Sequence, residues 1–120
     1  MPNQWAIDLS AYGISADAYQ EMKYFCRQYA EKQRKLSAWS HQDLTQPDPT
    51  TRSFLTNDLH LIEQTARQTD PTLAPWILKA VTRGASYPAL HAKGIPCGEK
   101  YFSKRRRQFF CLLAKKKHLL

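Results

Sequence analysis

The sequence predicts an all-α fold: a small helical bundle whose C-terminal part forms a helix-turn-helix-like unit ending in a long basic helix. Three observations carry this. Apolar residues recur at steps of three and four along most of the chain. Period-two alternation is confined to residues 3–9. Glycine and proline fall at intervals that divide the periodic stretches. With 120 residues, 42% hydrophobic and 23% charged, the chain fits one globular domain. Residues 1–46 form an N-terminal arm and helix, and residues 47–120 a helical core.

Each element follows from local chemistry. Trp5, Ile7 and Leu9 alternate with polar or small residues and suit a short extended arm, which Gly13 interrupts. Ser15 is an N-cap for a first helix, whose Tyr19, Met22, Phe25, Cys26, Tyr29 and Leu36 line one face to about Ala38. The polar stretch from His41 to Thr50 contains two prolines and reads as a loop. Asp48 and Pro49 then start a second helix with a stripe of Leu55, Leu59, Ile62 and Ala66. The same start signal, Asp70 and Pro71, opens a third helix with Leu73, Trp76, Ile77, Ala80 and Val81 inward and Gly84 as C-terminal cap. Ser86 to Leu90 form a short fourth helix with Pro88 in its first turn, stopped by Gly94 and Ile95-Pro96. From Cys97 to Leu120 nothing breaks a helix.

Charge is the main pointer to function. The net charge is +8 and the pI about 9.6. Between Gly98 and Leu120, Lys100, Lys104, Arg105, Arg106, Arg107, Lys115, Lys116 and Lys117 face one acid, Glu99, so this segment holds +7 of the +8. Such a surface attracts polyanions. A solvated helix face usually mixes signs, whereas this one repels itself at i, i+3 and i+4, which a bound anion would offset. Phe102, Phe109, Phe110 and Leu113 can face a core, while Lys100, Lys104 and Arg107 share another face. An interfacial membrane helix would need those apolar residues for lipid, and a domain this small needs them for its core.

Other chemistries find little material. No paired carboxylates, phosphate loop or nucleophile with a base emerge; Asp58, His60 and Glu63 do not share a helical face. Cys97, Cys111, His91 and His118 lack zinc-module spacing, so no metal or cofactor is expected. Three unpaired-looking cysteines, no apolar run of membrane-span length and no signal-peptide pattern suit a cytoplasmic protein with reduced thiols. The protein is not expected to be an enzyme. Trp76 suits a core position, and Trp5 and Trp39 suit either a dimer contact or a partner surface.

The order of a twelve-residue helix, Gly84, a short helix, a turn and a long basic helix is helix-turn-helix-like. The last helix then meets the major groove with its first turns, where Lys100, Lys104 and Arg105 can donate to phosphate or guanine. The segments DPTTRSFLTNDLHLIEQTARQ, PWILKAVTRGASYPAL and CGEKYFSKRRRQFFCLLAKK resemble the small phage and prophage regulators of the RinA and ArpU type. That resemblance spans about 70 residues from Asp48 onward and implies an arrangement similar to sigma-factor region 4 and activity as a transcriptional regulator. The nucleic-acid-binding candidates are Lys100, Tyr101, Lys104, Arg105, Arg106, Arg107, Lys115, Lys116 and Lys117. Duplex DNA is the expected partner, with RNA polymerase, another host protein or a second copy of the chain as further candidates. The alternative is a small basic phage-encoded inhibitor or adaptor that binds a nucleic-acid-processing host protein or its RNA or DNA. If five to eight cations displace counterions, the log–log salt slope of DNA binding is on the order of -4 to -7.

Overall fold

The structure, a computed structural model, describes the backbone of residues 9–41 and 49–120 and the side chains of 9–38 and 49–120. Residues 3–8 of the arm expected at 3–9, the Asp48 cap and the side chains of Trp5 and Trp39 lie outside the described residues, while Leu9, the last residue of that arm, is buried. Every regular element among the described residues is helical. A 3-10 turn, Ser10–Tyr12, precedes α1 (Ala16–Arg27), α2 (Tyr29–His41), α3 (Pro49–Thr69), α4 (Ala74–Arg83), α5 (Tyr87–Ala92) and α6 (Glu99–Lys116).

The single first helix expected from Ser15 to Ala38 is two helices. Ser15 caps α1 by accepting from the Ala18 N–H at 3.0 Å. At Gln28 the backbone N–H is shared between Tyr24 O at 3.2 Å and Phe25 O at 3.3 Å, a local tightening that interrupts the regular ladder. No glycine or proline marks this break. Beyond it, α2 turns its polar face to α3: Lys32 Nζ lies 2.9 Å from Asp58 Oδ2, and the Tyr29 hydroxyl donates to Glu63 Oε2 at 3.1 Å. Asp58 and Glu63 thus join helices.

Helix α3 is the spine, packing against α2, α4 and α6. Leu59, Ile62, Thr65 and Ala66 are its buried residues, while Leu55, the first member of the expected stripe, is half-buried. The third helix begins later than its Asp-Pro signal suggested. Asp70 Oδ1 accepts from the N–H groups of Thr72 and Leu73 at 3.0 and 3.1 Å, which holds Pro71 to Leu73 in a turn before α4 opens at Ala74 with Pro75 in its first turn. Gly84 closes α4 at φ +70°, a left-handed conformation that favours glycine.

Helix α5 is capped by Ser86 and ends through Gly94 at φ +94°. Ile95 is buried beyond it, its N–H donating to Leu90 O at 3.1 Å. Tyr87 joins this unit to the next helix: its hydroxyl donates to Cys97 O at 2.7 Å, and its ring lies 6.3 Å from that of Phe102. Cys97 therefore precedes α6, which starts at Glu99 with Gly98 as N-cap. The helix also stops short of Leu120, because His118 adopts φ +57° and the Leu119 N–H returns to Ala114 O at 2.9 Å.

One cluster forms the core, with Met22 and Cys26 of α1, Ile62 and Ala66 of α3, Ile77 of α4, Leu90 of α5 and Phe102, Phe109 and Leu113 of α6 all fully buried or nearly so. Trp76, expected in the core, is half-buried at its edge, with Lys79 Nζ 4.9 Å from its ring centroid. No described helix is long and apolar enough to cross a membrane. The apolar face of α6 that an interfacial helix would insert in lipid is consumed by this core.

Candidate nucleic-acid interface

Helix α6 places its cations by the angle each residue occupies around the axis. Phe102, Phe109 and Leu113, at steps of seven and four, define the inward side. Lys100, Lys104, Arg107 and Lys115 then fall on the opposite side at i, i+4, i+7 and i+15, with Cys111 completing the row. Lys100, Lys104 and Lys115 are exposed and Arg107 half-exposed. At 1.5 Å per residue the row is about 22 Å long. Among the described residues none of these four side chains enters an ion pair.

The other five candidates are used within the fold. Arg106 is buried, only 9% exposed, because it lies one turn from both Phe102 and Phe109 on the inward side. Burial pulls its guanidinium down to about 10, still charged at neutral pH. This corrects the expectation that Arg106 meets the outer anion. Lys116 reaches back to α3 and donates to Thr65 Oγ1 at 3.1 Å, with burial lowering its ammonium below the ordinary value. Lys117 lies 3.9 Å from the Phe25 ring centroid, a cation–π contact with α1. Of the three C-terminal candidates, Lys115, Lys116 and Lys117, only Lys115 thus remains open to an outer anion.

Arg105 and Tyr101 form a clasp with Asp70. Arg105 Nε is 3.2 Å from Asp70 Oδ2. The Tyr101 hydroxyl donates to the same oxygen at 3.3 Å and accepts from Arg105 Nη2 at 2.8 Å. Arg105 Nη1 also donates to Gln108 Oε1 at 2.8 Å. Asp70 is the member that reading the sequence missed. Its Asp-Pro context marked a break that Oδ1 turns into a tight turn, but nothing local signals that Oδ2 neutralises an arginine 35 positions onward. Among the first-turn candidates, Lys100 and Lys104 remain open to an anion.

The three cysteines are free thiols. Cys26 is buried, and burial pushes its thiol up to about 12, so it is an inert core residue. Cys111 is half-buried, and desolvation raises its thiol despite the nearby Lys115 and Arg107. Among the described residues no group of three or more His, Cys, Asp or Glu is placed to hold a metal ion.

Comparison of the chain with protein-family models, with curated proteins and with solved structures gives no match. The resemblance to phage regulators therefore rests on the residues that carry it, and the functional reading on the geometry of α6.

Proposed function

We propose that the protein is a DNA-binding transcriptional regulator of phage type, which docks α6 on duplex DNA. The observation that supports this reading is the outward row of Lys100, Lys104, Arg107 and Lys115, which contains no acid and is backed by a rigid apolar anchor. The core fixes the helix backbone that carries the row, so only the side chains lose conformational freedom when they meet phosphates. The major groove, about 12 Å wide, admits an α-helix, and the unit of α4, α5 and α6 has the helix, short helix, long helix order of such a reader.

The mechanism is positioning. Lys100, Lys104, Arg107 and Lys115 bind backbone phosphates, and Lys100, in the first turn of α6, is also the cation best placed to reach a base edge. Arg105 contributes by holding Tyr101 against Asp70. The near-neutral helices α1 to α3 serve as the scaffold that fixes the angle of α6. Fluorescence anisotropy with duplex DNA, single-stranded DNA and RNA across a salt series tests this. Preference for the duplex with a steep salt dependence is expected, and equal binding to all three, or none, refutes it. Selection from a random duplex pool then reports whether a sequence consensus exists.

A further inference from the structure

On the side of α6 away from the lysine row, the helix shares a groove with α1 and the C-terminal end of α4. It encloses about 220 Å³, room for several water molecules or one small ligand. Lys23 and Arg27 of α1 and Arg106 of α6 line it, and no aspartate or glutamate does. Neither Lys23 nor Arg27 enters an ion pair among the described residues. The floor is apolar and aromatic: the rings of Tyr19 and Phe110 meet edge to face at 5.2 Å.

Gly84 shapes one wall. A Cβ there would come within 2.3 Å of Arg27 Nη2 and 2.6 Å of its Cζ, so the guanidinium lies directly over the glycine backbone. It thereby sits at the C-terminal end of α4, where unsatisfied carbonyls favour a cation. Tyr19 lines the same groove with a hydroxyl that can donate, and burial raises it above the ordinary value against the pull of Arg106 and Arg27. Three positive groups and one hydroxyl donor therefore border a concave site with an apolar floor. Convex duplex backbone fits such a recess less well than a small molecule does.

We propose that this groove binds the phosphate group of a small organic phosphomonoester, with Lys23, Arg27 and Arg106 around the anion and its apolar part against Tyr19 and Phe110. Guanidinium groups suit phosphate because their planar forks donate paired hydrogen bonds. The site is independent of the DNA-binding reading, since it lies on the inner side of α6 and uses none of the four row residues.

Isothermal titration with phenyl phosphate tests it on the full chain, beside the double variants Lys23→Gln/Arg27→Gln and Lys100→Gln/Lys104→Gln, with circular dichroism confirming that each folds. The native chain is expected to bind phenyl phosphate saturably and more tightly than inorganic phosphate. The groove double should weaken it at least tenfold, and the row double should leave it unchanged. Absence of saturable binding overturns the proposal, as does equal loss in both doubles, which marks a response to net charge alone. A parallel titration with duplex DNA separates the source of the phosphate. If phenyl phosphate does not bind but duplex affinity falls tenfold in the groove double, the groove holds nucleic-acid backbone and the small-molecule proposal fails. If phenyl phosphate binds as expected while duplex DNA does not bind at all, the groove stands and the regulator reading falls.

Discussion

Counting the cations that α6 leaves open turns the regulator reading into a number. Lys100, Lys104, Arg107 and Lys115 are unclaimed by the fold, while Arg105 is clasped by Asp70, Arg106 is buried, and Lys116 and Lys117 contact Thr65 and Phe25. Each phosphate contact contributes about -0.9 to the slope of log affinity against log salt, so four give about -3.6. Raising salt from about 50 to about 200 mM should then weaken duplex binding roughly 150-fold. Had all eight basic groups of the segment reached phosphates, the slope would approach about -7 and the loss on the order of 10⁴-fold. The variant Lys104→Ala/Arg107→Ala removes two contacts and should bring the slope to about -1.8, a loss of only about 12-fold over the same range. Anisotropy of a labelled duplex at five or more salt concentrations measures both chains. A native slope near -7 would show that the clasped and buried cations reach DNA as well. A slope unchanged in the double variant would refute the row as the contact surface.

Removing the clasp should act in opposite directions on two measurements. Asp70→Ala deletes the two bonds that hold the turn before α4, so urea unfolding should show a loss of about 1 kcal/mol from those bonds, while the freed Arg105 should steepen the salt slope by about one. A stability loss with an unchanged slope would mean that Arg105 stays on Tyr101 without its carboxylate. Phe109→Ala empties a fully buried site and should cost about 3–5 kcal/mol by chemical denaturation. A cost below about 1 kcal/mol would contradict the packing of α6 on α1 and α3. Cys26 should show itself in alkaline solution. Its thiol titrates at about 12 in the folded chain against an ordinary 9.0. Being raised, it contributes stability that is complete below about pH 9 and lost between there and about pH 12, at about 1.4 kcal/mol per pH unit. The thermal midpoint should therefore fall more steeply above pH 9 in the native chain than in Cys26→Ser, and parallel curves would refute that assignment.

Reading in one dimension succeeded where the information was local. Ser15 could be placed as a cap because an N-cap hydroxyl bonds an N–H three positions on, and it does so to Ala18; Ser86, read as the first residue of the fourth helix, is instead its cap through Ala89. The stops at Gly84 and Gly94 were visible because left-handed backbone favours glycine. The break at Gln28 and the end of α6 at His118 carried no such mark. A bifurcated N–H and a non-glycine left-handed residue are settled by the packing of neighbouring helices rather than by the residues themselves.

The same division separates what the chain's order of residues determined from what only the tertiary structure decided. Helical periodicity alone sets the angle of every α6 side chain about its axis, so the aromatic anchor and the opposing row of Lys100, Lys104 and Arg107 could be read directly. Which cations stay free depends on partners far away in the sequence: Asp70 for Arg105, Thr65 for Lys116, Phe25 for Lys117, and the groove facing α1 for Arg106. A long, flexible basic side chain can reach several neighbours from one backbone position. Only the packing of α1, α3 and α4 against α6 selects among them, and that selection leaves one face of the helix open to an anion while turning Arg106 toward the groove on the other.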